Sequence, residues 1–172
     1  MTDDYIRGNP DAITALVEYG DYHSRECAAA NRVIDIVMDE FPDSIRFVFR
    51  NLPRDRRSET LAPAEAAESV GCHAGNAAFW RLHAIVFENQ DALEIDDLLG
   101  YAEAAGGDPR KVAEDLASGA MRTRVLRHVD DAARAGITDV PAFFLNGRRF
   151  SALWTDVDAF VAALRRGNPI PS

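Results

Sequence analysis

His23, Ser24 and Cys27 stand within five residues of one another and hold most of the chain's chemical potential. A helical pattern begins at Ser24, so all three lie at a helix start. Unpaired N–H groups and the helix dipole favour negative charge there and make a thiolate accessible. Disulfide exchange needs an attacking thiolate and a second thiol that resolves the mixed disulfide. Ser24 and Cys27 have the separation of such a pair, with two residues between them, but the first position holds a hydroxyl. A hydroxyl is far less acidic than a thiol and forms no disulfide, so these two residues alone cannot run a dithiol cycle.

Two roles remain for Cys27. It acts as a monothiol, alone or with Cys72, or it is a small buried apolar residue of the first helical turn. Ser24 likewise has a structural and a chemical role. As an N-cap it accepts a bond from the N–H of Glu26 or Cys27, a contribution of about 1 kcal/mol; as a donor it would hold a bound thiolate. His23 could polarise Ser24 or stabilise a thiolate, or simply face solvent. Neither Asp21 nor Glu26 has an identifiable base partner for a serine triad. Cys72-His73 with His83 or Cys27 lacks recognised ligand spacing, so no metal is expected.

These residues need a strand to deliver them and a helix to hold them. Ala12 to Val17 is almost continuously apolar, as in a strand covered on both faces. Gly8-Asn9-Pro10-Asp11 reads as the turn leading into it. Apolar positions at Cys27, Ala30, Ile34, Val37 and Phe41 have helical spacing, and Pro42 stops the helix. Ser44 to Arg50 then alternates, with Ile45, Phe47 and Phe49 on one face. Such a strand–helix–strand unit crosses over right-handed and makes its strands parallel.

A helical block follows, with apolar faces at Phe79, Leu82 and Val86, at Ile95, Leu98, Leu99 and Ala102, and at Val125, Val129 and Ala132. After Gly136, the run Val140 to Leu145, the hairpin signal Asn146-Gly147 and Arg148 to Ser151 predict two antiparallel strands. Pro141 must sit at the start of the first of them. Val157, Phe160, Val161 and Leu164 form a last helix. The expected architecture is α/β, in the order βαβ–ββα. One domain over residues 1–172 comprises a core of about 12–52 and 137–167, with a helical insertion of about 58–136.

Composition narrows the partners. The 172 residues carry a net charge of −9, which would repel a phosphate backbone, so nucleic acid is excluded as a partner. The one basic patch, Arg50, Arg54, Arg56 and Arg57, reads as a solvated loop or an anion contact. No stretch approaches the roughly 18 apolar residues of a membrane span. The first twenty residues lack a basic n-region and an apolar h-region, so a cytoplasmic, reducing setting is expected.

Five blocks together carry a family likeness: Arg7-Gly8-Asn9-Pro10-Asp11-Ala12, Val17-Glu18-Tyr19-Gly20-Asp21-Tyr22, Arg46-Phe47-Val48-Phe49-Arg50, Phe79-Trp80-Arg81-Leu82-His83 and Val140 to Gly147. In this order they resemble the DsbA-like branch of the thioredoxin superfamily. The subgroup is similar to the thioredoxin-like C-terminal domain of some sodium/proton antiporters. The resemblance implies thiol-disulfide oxidoreductase ancestry with a Cys-Pro-Tyr-Cys motif where this chain reads Ser24-Arg25-Glu26-Cys27. Only the resolving position, Cys27, survives in that degenerate Ser-x-x-Cys. Pro141 matches the family's cis-proline, beside which an extended protein or peptide substrate pairs by strand addition. Val140, Pro141 and Tyr22 are therefore the expected substrate-binding residues, and Ser24, Cys27 and His23 the expected catalytic ones.

Three functions follow from the resemblance. One is an oxidoreductase homologue without ordinary dithiol exchange, any redox activity being monothiol through Cys27. Another is a non-catalytic peptide-binding or chaperone-like module. The third is a thiol-dependent transferase or isomerase using Ser24, similar to kappa-class glutathione transferases. No cofactor is expected, beyond glutathione or another small thiol as co-substrate.

Overall fold

A computed structural model describes residues 4–167. β1 (Ile6–Gly8), β2 (Thr14–Gly20), α1 (Arg25–Glu40) and β3 (Ile45–Asn51) come first. Five helices follow: α2 (Ser58–Ala74), α3 (Asn76–Glu88), α4 (Ile95–Ala104), α5 (Pro109–Ser118) and α6 (Arg122–Arg134). β4 (Ala142–Leu145), β5 (Arg148–Phe150) and α7 (Val157–Gly167) close the fold. The sheet runs β1-β3-β2-β4-β5, with β2 and β3 parallel and every other neighbouring pair antiparallel.

Alternation in the strands divides the core into two layers. Leu16, Ile45, Phe47, Phe49, Phe143 and Leu145 point to one face, where they meet buried side chains of α1, α2, α3 and α7. Tyr19 and Ala142 point to the other face and pack with Ala132 of α6 and Ile137 in a smaller cluster.

The first strand differs from the sequence expectation at both ends. It begins at Thr14 rather than Ala12 and runs to Gly20 rather than Val17. The apolar run gave no sign that Glu18 would be taken inside, yet Glu18 shares a face with Leu16 and is 1% exposed.

β1 was not expected either, since only one of its three residues is strongly apolar. Its existence depends on tertiary partners. Residues 6–8 pair with β3 on one side, while the Asn76 carboxamide accepts from the Ile6 N–H and donates to the Ile6 carbonyl, each at 2.8 Å. A side chain thus closes the sheet edge that would otherwise stay open. Gly8 is required where it is: its φ is +89°, and a Cβ there would lie 2.3 Å from the Ile45 carbonyl oxygen.

α2 is the buried axis of the helical block, with a continuous buried run from Thr60 to Gly71 despite Pro63 inside it. Its two inward carboxylates are compensated from α6, Glu65 by Arg122 at 2.7 Å and Glu68 by Arg124. The basic loop resolves into ion pairs: Arg50 with Asp4 at 2.7 Å, Arg56 with Asp130 at 3.2 Å and Arg57 with Asp55 at 2.9 Å. Arg54 lies 3.9 Å from Asp55. Arg54, Arg56 and Arg57 are exposed, which fits the solvated-loop reading, whereas Arg50 belongs to β3 and is half-buried against Asp4. No helix among the described residues is long and apolar enough to cross a membrane.

Candidate functional site

β2 ends at Gly20 and the chain turns through Asp21–Ser24 into α1. Asp21 fixes the turn: its carboxylate accepts from the His23 N–H at 2.9 Å and the Arg54 N–H at 3.1 Å, and its carbonyl accepts from the Ser24 N–H at 3.0 Å. The helical block grips the same turn from outside. Gln90 donates to the carbonyls of Tyr22 at 2.7 Å and Ser24 at 2.8 Å, and Asp91 pairs with Arg25.

Ser24 is the N-cap of α1, as its residue type and position predict. Its Oγ accepts from the Cys27 N–H at 3.1 Å and donates to a Glu26 carboxylate oxygen at 3.1 Å. The hydroxyl proton is therefore engaged, and a role as donor to a bound thiolate would require Ser24 to leave Glu26. His23 makes no hydrogen bond to Ser24 among the described residues. Its Nε2 is buried and has no hydrogen-bond partner there.

Cys27 is fully buried, and its Sγ accepts from the Asp21 N–H at 3.4 Å. Burial pushes its pKa up to about 12, the neighbouring Glu18 carboxyl adds to that, and the hydrogen bonds from the Ser24 side and from Asp21 only partly oppose it. A thiol so placed is almost wholly protonated at neutral pH. Cys72 is exposed on α2, and both cysteines are free. No group of three His, Cys, Asp or Glu among the described residues could hold a metal ion.

Two buried groups beneath the motif were missed by the sequence reading. Glu18 has a carboxylate oxygen with no hydrogen-bond partner, and burial raises its pKa well above the ordinary value. The period-two alternation of β2 was the available signal, because it sets Glu18 and Leu16 on one face. His83 is the other. Its Nε2–H donates to Asn31 Oδ1 at 3.0 Å, which leaves Nδ1 to accept from the Tyr22 hydroxyl, also at 3.0 Å.

That chain of bonds corrects the expectation for Tyr22. Its ring is 2% exposed, lies among Phe49, Phe87 and His83, and spends its hydroxyl on His83. The side chain belongs to the core, so Tyr22 cannot touch a substrate through it.

Burial lowers the His83 pKa to about 3. The neutral ring is favoured in the folded state, whereas the unfolded chain takes up a proton near pH 6.5. Stability should therefore be lost as pH falls from about 6.5 towards 3, by a few kcal/mol in total. Urea denaturation of Glu18→Gln, which lacks the opposing slope of that buried carboxyl, checks this across the range; a flat profile between pH 6 and 4 in that variant would show that His83 is not held neutral.

Val140 and Pro141 lie at the entry to β4, joined by a cis peptide bond. Tyr19 and Ala142 form the last pair of the β2–β4 ladder, so Pro141 enters β4 at the end of the sheet where β2 runs on into the Asp21–Ser24 turn. Pro141 thus sits beside the turn that carries Ser24. Val140 and Pro141 are half-buried, and Val140 has no backbone hydrogen bond among the described residues.

Known proteins agree with this architecture. The family model described as thioredoxin matches residues 1–164. The chain is 35% identical over 162 residues to the Na(+)/H(+) antiporter NhaA 1 of Salinispora arenicola, covering 94% of this chain and 24% of that protein. It is 38% identical over 167 residues to the Na(+)/H(+) antiporter NhaA of Herminiimonas arsenicoxydans, covering 95% and 26%. The chain spans about a quarter of the length of the curated relatives it matches.

Oxidised BdbD from Bacillus subtilis superposes with a TM-score of 0.85 at 22% identity, covering 95% of this chain and 91% of that one. The thiol-disulfide exchange protein α-DsbA2 from Wolbachia pipientis gives 0.82 at 16%, covering 96% and 87%. The chain belongs to the thioredoxin family, and its fold is that of the DsbA-like thiol-disulfide oxidoreductases.

Proposed function

We propose that this chain is a DsbA-like domain in which ordinary dithiol exchange is lost and the surface beside Pro141 is kept for binding an extended protein or peptide segment. The burial of Cys27 carries the reading. Without an exposed first thiol, nothing opens a mixed disulfide for Cys27 to resolve, and a sulfur held near pKa 12 is a poor monothiol nucleophile. Support for binding comes from Val140, whose backbone N–H and C=O make no hydrogen bond among the described residues, as a residue that receives an added strand would. The setting consistent with two unpaired cysteines is cytoplasmic and reducing.

Thiol titration tests the loss of redox function. Cys72 should react with Ellman's reagent in the native protein, and Cys27 only after denaturant is added; rapid native labelling of Cys27 would restore the monothiol reading. Binding is tested by adding reduced, carboxymethylated ribonuclease, an unfolded chain without reactive thiols, to isotopically labelled protein. Amide shifts should concentrate at Val140, Ala142 and the Asp21–Ser24 turn. Shifts confined elsewhere would sink the groove.

A further inference from the structure

The connection between α3 and α4 lies against the start of α1, and Gln90 ties the two together. Its Nε2 donates to the Tyr22 carbonyl at 2.7 Å and to the Ser24 carbonyl at 2.8 Å. A carboxamide carries two N–H donors, so both are spent on the motif turn. The Ser24 carbonyl has a second partner in the Ala28 N–H at 3.1 Å. The Tyr22 carbonyl has none besides Gln90 among the described residues, so the helical block alone satisfies it.

Two sides therefore hold this turn. Asp21 holds it from within, through the N–H groups of His23 and Ser24. Gln90 holds it from the helical block. Beside it Asp91 pairs with Arg25, but these side chains are 84% and 68% exposed, so water screens the pair and it adds little.

Both ends of the connection are pinned. The Asn89 carboxamide donates to the Ile85 carbonyl at 2.8 Å, and the Tyr101 hydroxyl donates to the Ala92 carbonyl at 3.0 Å. Leu93 packs against the main core. Between the pins there is open space on either side. Concavities of about 520 and 370 Å³ flank the connection, and their linings have only Gln90 and Asp91 in common. A partition held by two neutral hydrogen bonds and an exposed ion pair can leave the turn without disturbing either pin.

We propose that Gln90 and Asp91 form a latch by which the helical block sets the shape of the Asp21–Ser24 turn, and that this latch opens locally while the block stays folded. Closed, it fixes the Tyr22 and Ser24 carbonyls and the path of the chain beside Pro141. Open, it releases that path. Control of binding in this way rests on the proposed use of the Pro141 surface; the latch itself does not.

Amide hydrogen exchange of the whole chain, followed by NMR, tests the latch. In the native protein the His23 and Ser24 amides should exchange at rates that low urea leaves unchanged. The amides of Phe47 and Leu82, both fully buried, should accelerate with urea. Gln90→Ala should speed exchange at His23 and Ser24 about tenfold or more, the loss of two hydrogen bonds, and leave Phe47 and Leu82 unchanged. Gln90→Glu, of the same size but without the two donors, should do the same. Native rates at His23 and Ser24 in folded variants, or rates that rise with urea in step with the core, would overturn the latch. Carboxymethylated ribonuclease should bind Gln90→Ala more weakly than the native protein; equal affinity despite faster exchange would overturn the control of binding. No binding to the native protein would sink the Pro141 surface instead, and the exchange rates would still decide the latch.

Discussion

Replacing Ser24 with cysteine should complete a Cys-x-x-Cys pair with Cys27 and let the chain reduce insulin. Residues three apart at a helix start lie about 5–6 Å from each other, within the Cα separation a disulfide bridges. The Ser24 Oγ is already 3.1 Å from the Cys27 N–H, so a sulfur at that place would sit among the first-turn N–H groups that stabilise a thiolate. Cys27 would then resume its resolving role. Attack by the new thiolate on a substrate disulfide expels one substrate thiolate, and Cys27 displaces the second as the Ser24→Cys, Cys27 pair becomes the disulfide.

One local feature limits the gain. The Glu26 carboxylate that now accepts from Ser24 would repel a thiolate at the same distance. Activity should therefore rise from background in the native chain to a measurable rate in Ser24→Cys, and further in Ser24→Cys, Glu26→Gln. Mass spectrometry of the oxidised variant should show an intramolecular disulfide. If both variants stay at the buffer rate while both thiols react with Ellman's reagent, the substrate groove and not the missing thiol accounts for the loss.

The second large effect concerns Glu18. Its carboxyl is buried beneath the motif, has an oxygen without a partner, and keeps its proton well above the usual carboxylate range. With the folded pKa raised, the native state prefers the protonated form. Stability is then complete below the unfolded pKa near 4.3 and declines as pH rises towards the folded value, by about 1.4 kcal/mol per pH unit. Glu18→Gln should abolish that decline, being close to neutral near pH 4 and clearly more stable than the native protein at pH 8. Urea midpoints measured from pH 4 to 8 decide it; parallel curves for the two proteins would place the carboxyl in contact with water or a cation. His83 produces the opposite slope, so the native protein should be most stable between the two, around pH 4.5–6.5.

How much of this was legible in the sequence depends on how local each cause is. The α1 helix was readable because its causes are local: a serine cap, apolar residues at helical spacing and a proline after the last turn. The β3 alternation and the Asn146-Gly147 turn were readable for the same reason. Family likeness over five blocks added the DsbA-like order of elements, and the position of Pro141 with it. By itself the sequence also determined that Ser24 and Cys27 cannot form a dithiol pair, because that follows from the side chains alone.

Tertiary structure decided the rest, since burial and hydrogen-bond partners come from residues far apart in the chain. β1 exists because β3 and the Asn76 side chain, some seventy residues away, satisfy its backbone. Tyr22 left the surface because His83 and Asn31 offered its hydroxyl a buried partner chain. Cys27 has the residue type of a redox centre and the environment of a core atom. Its pKa is set by desolvation and the neighbouring Glu18, and neither can be read from a spacing. Residue types fix what chemistry is available in principle; only packing fixes which proton a group holds and whether anything can reach it.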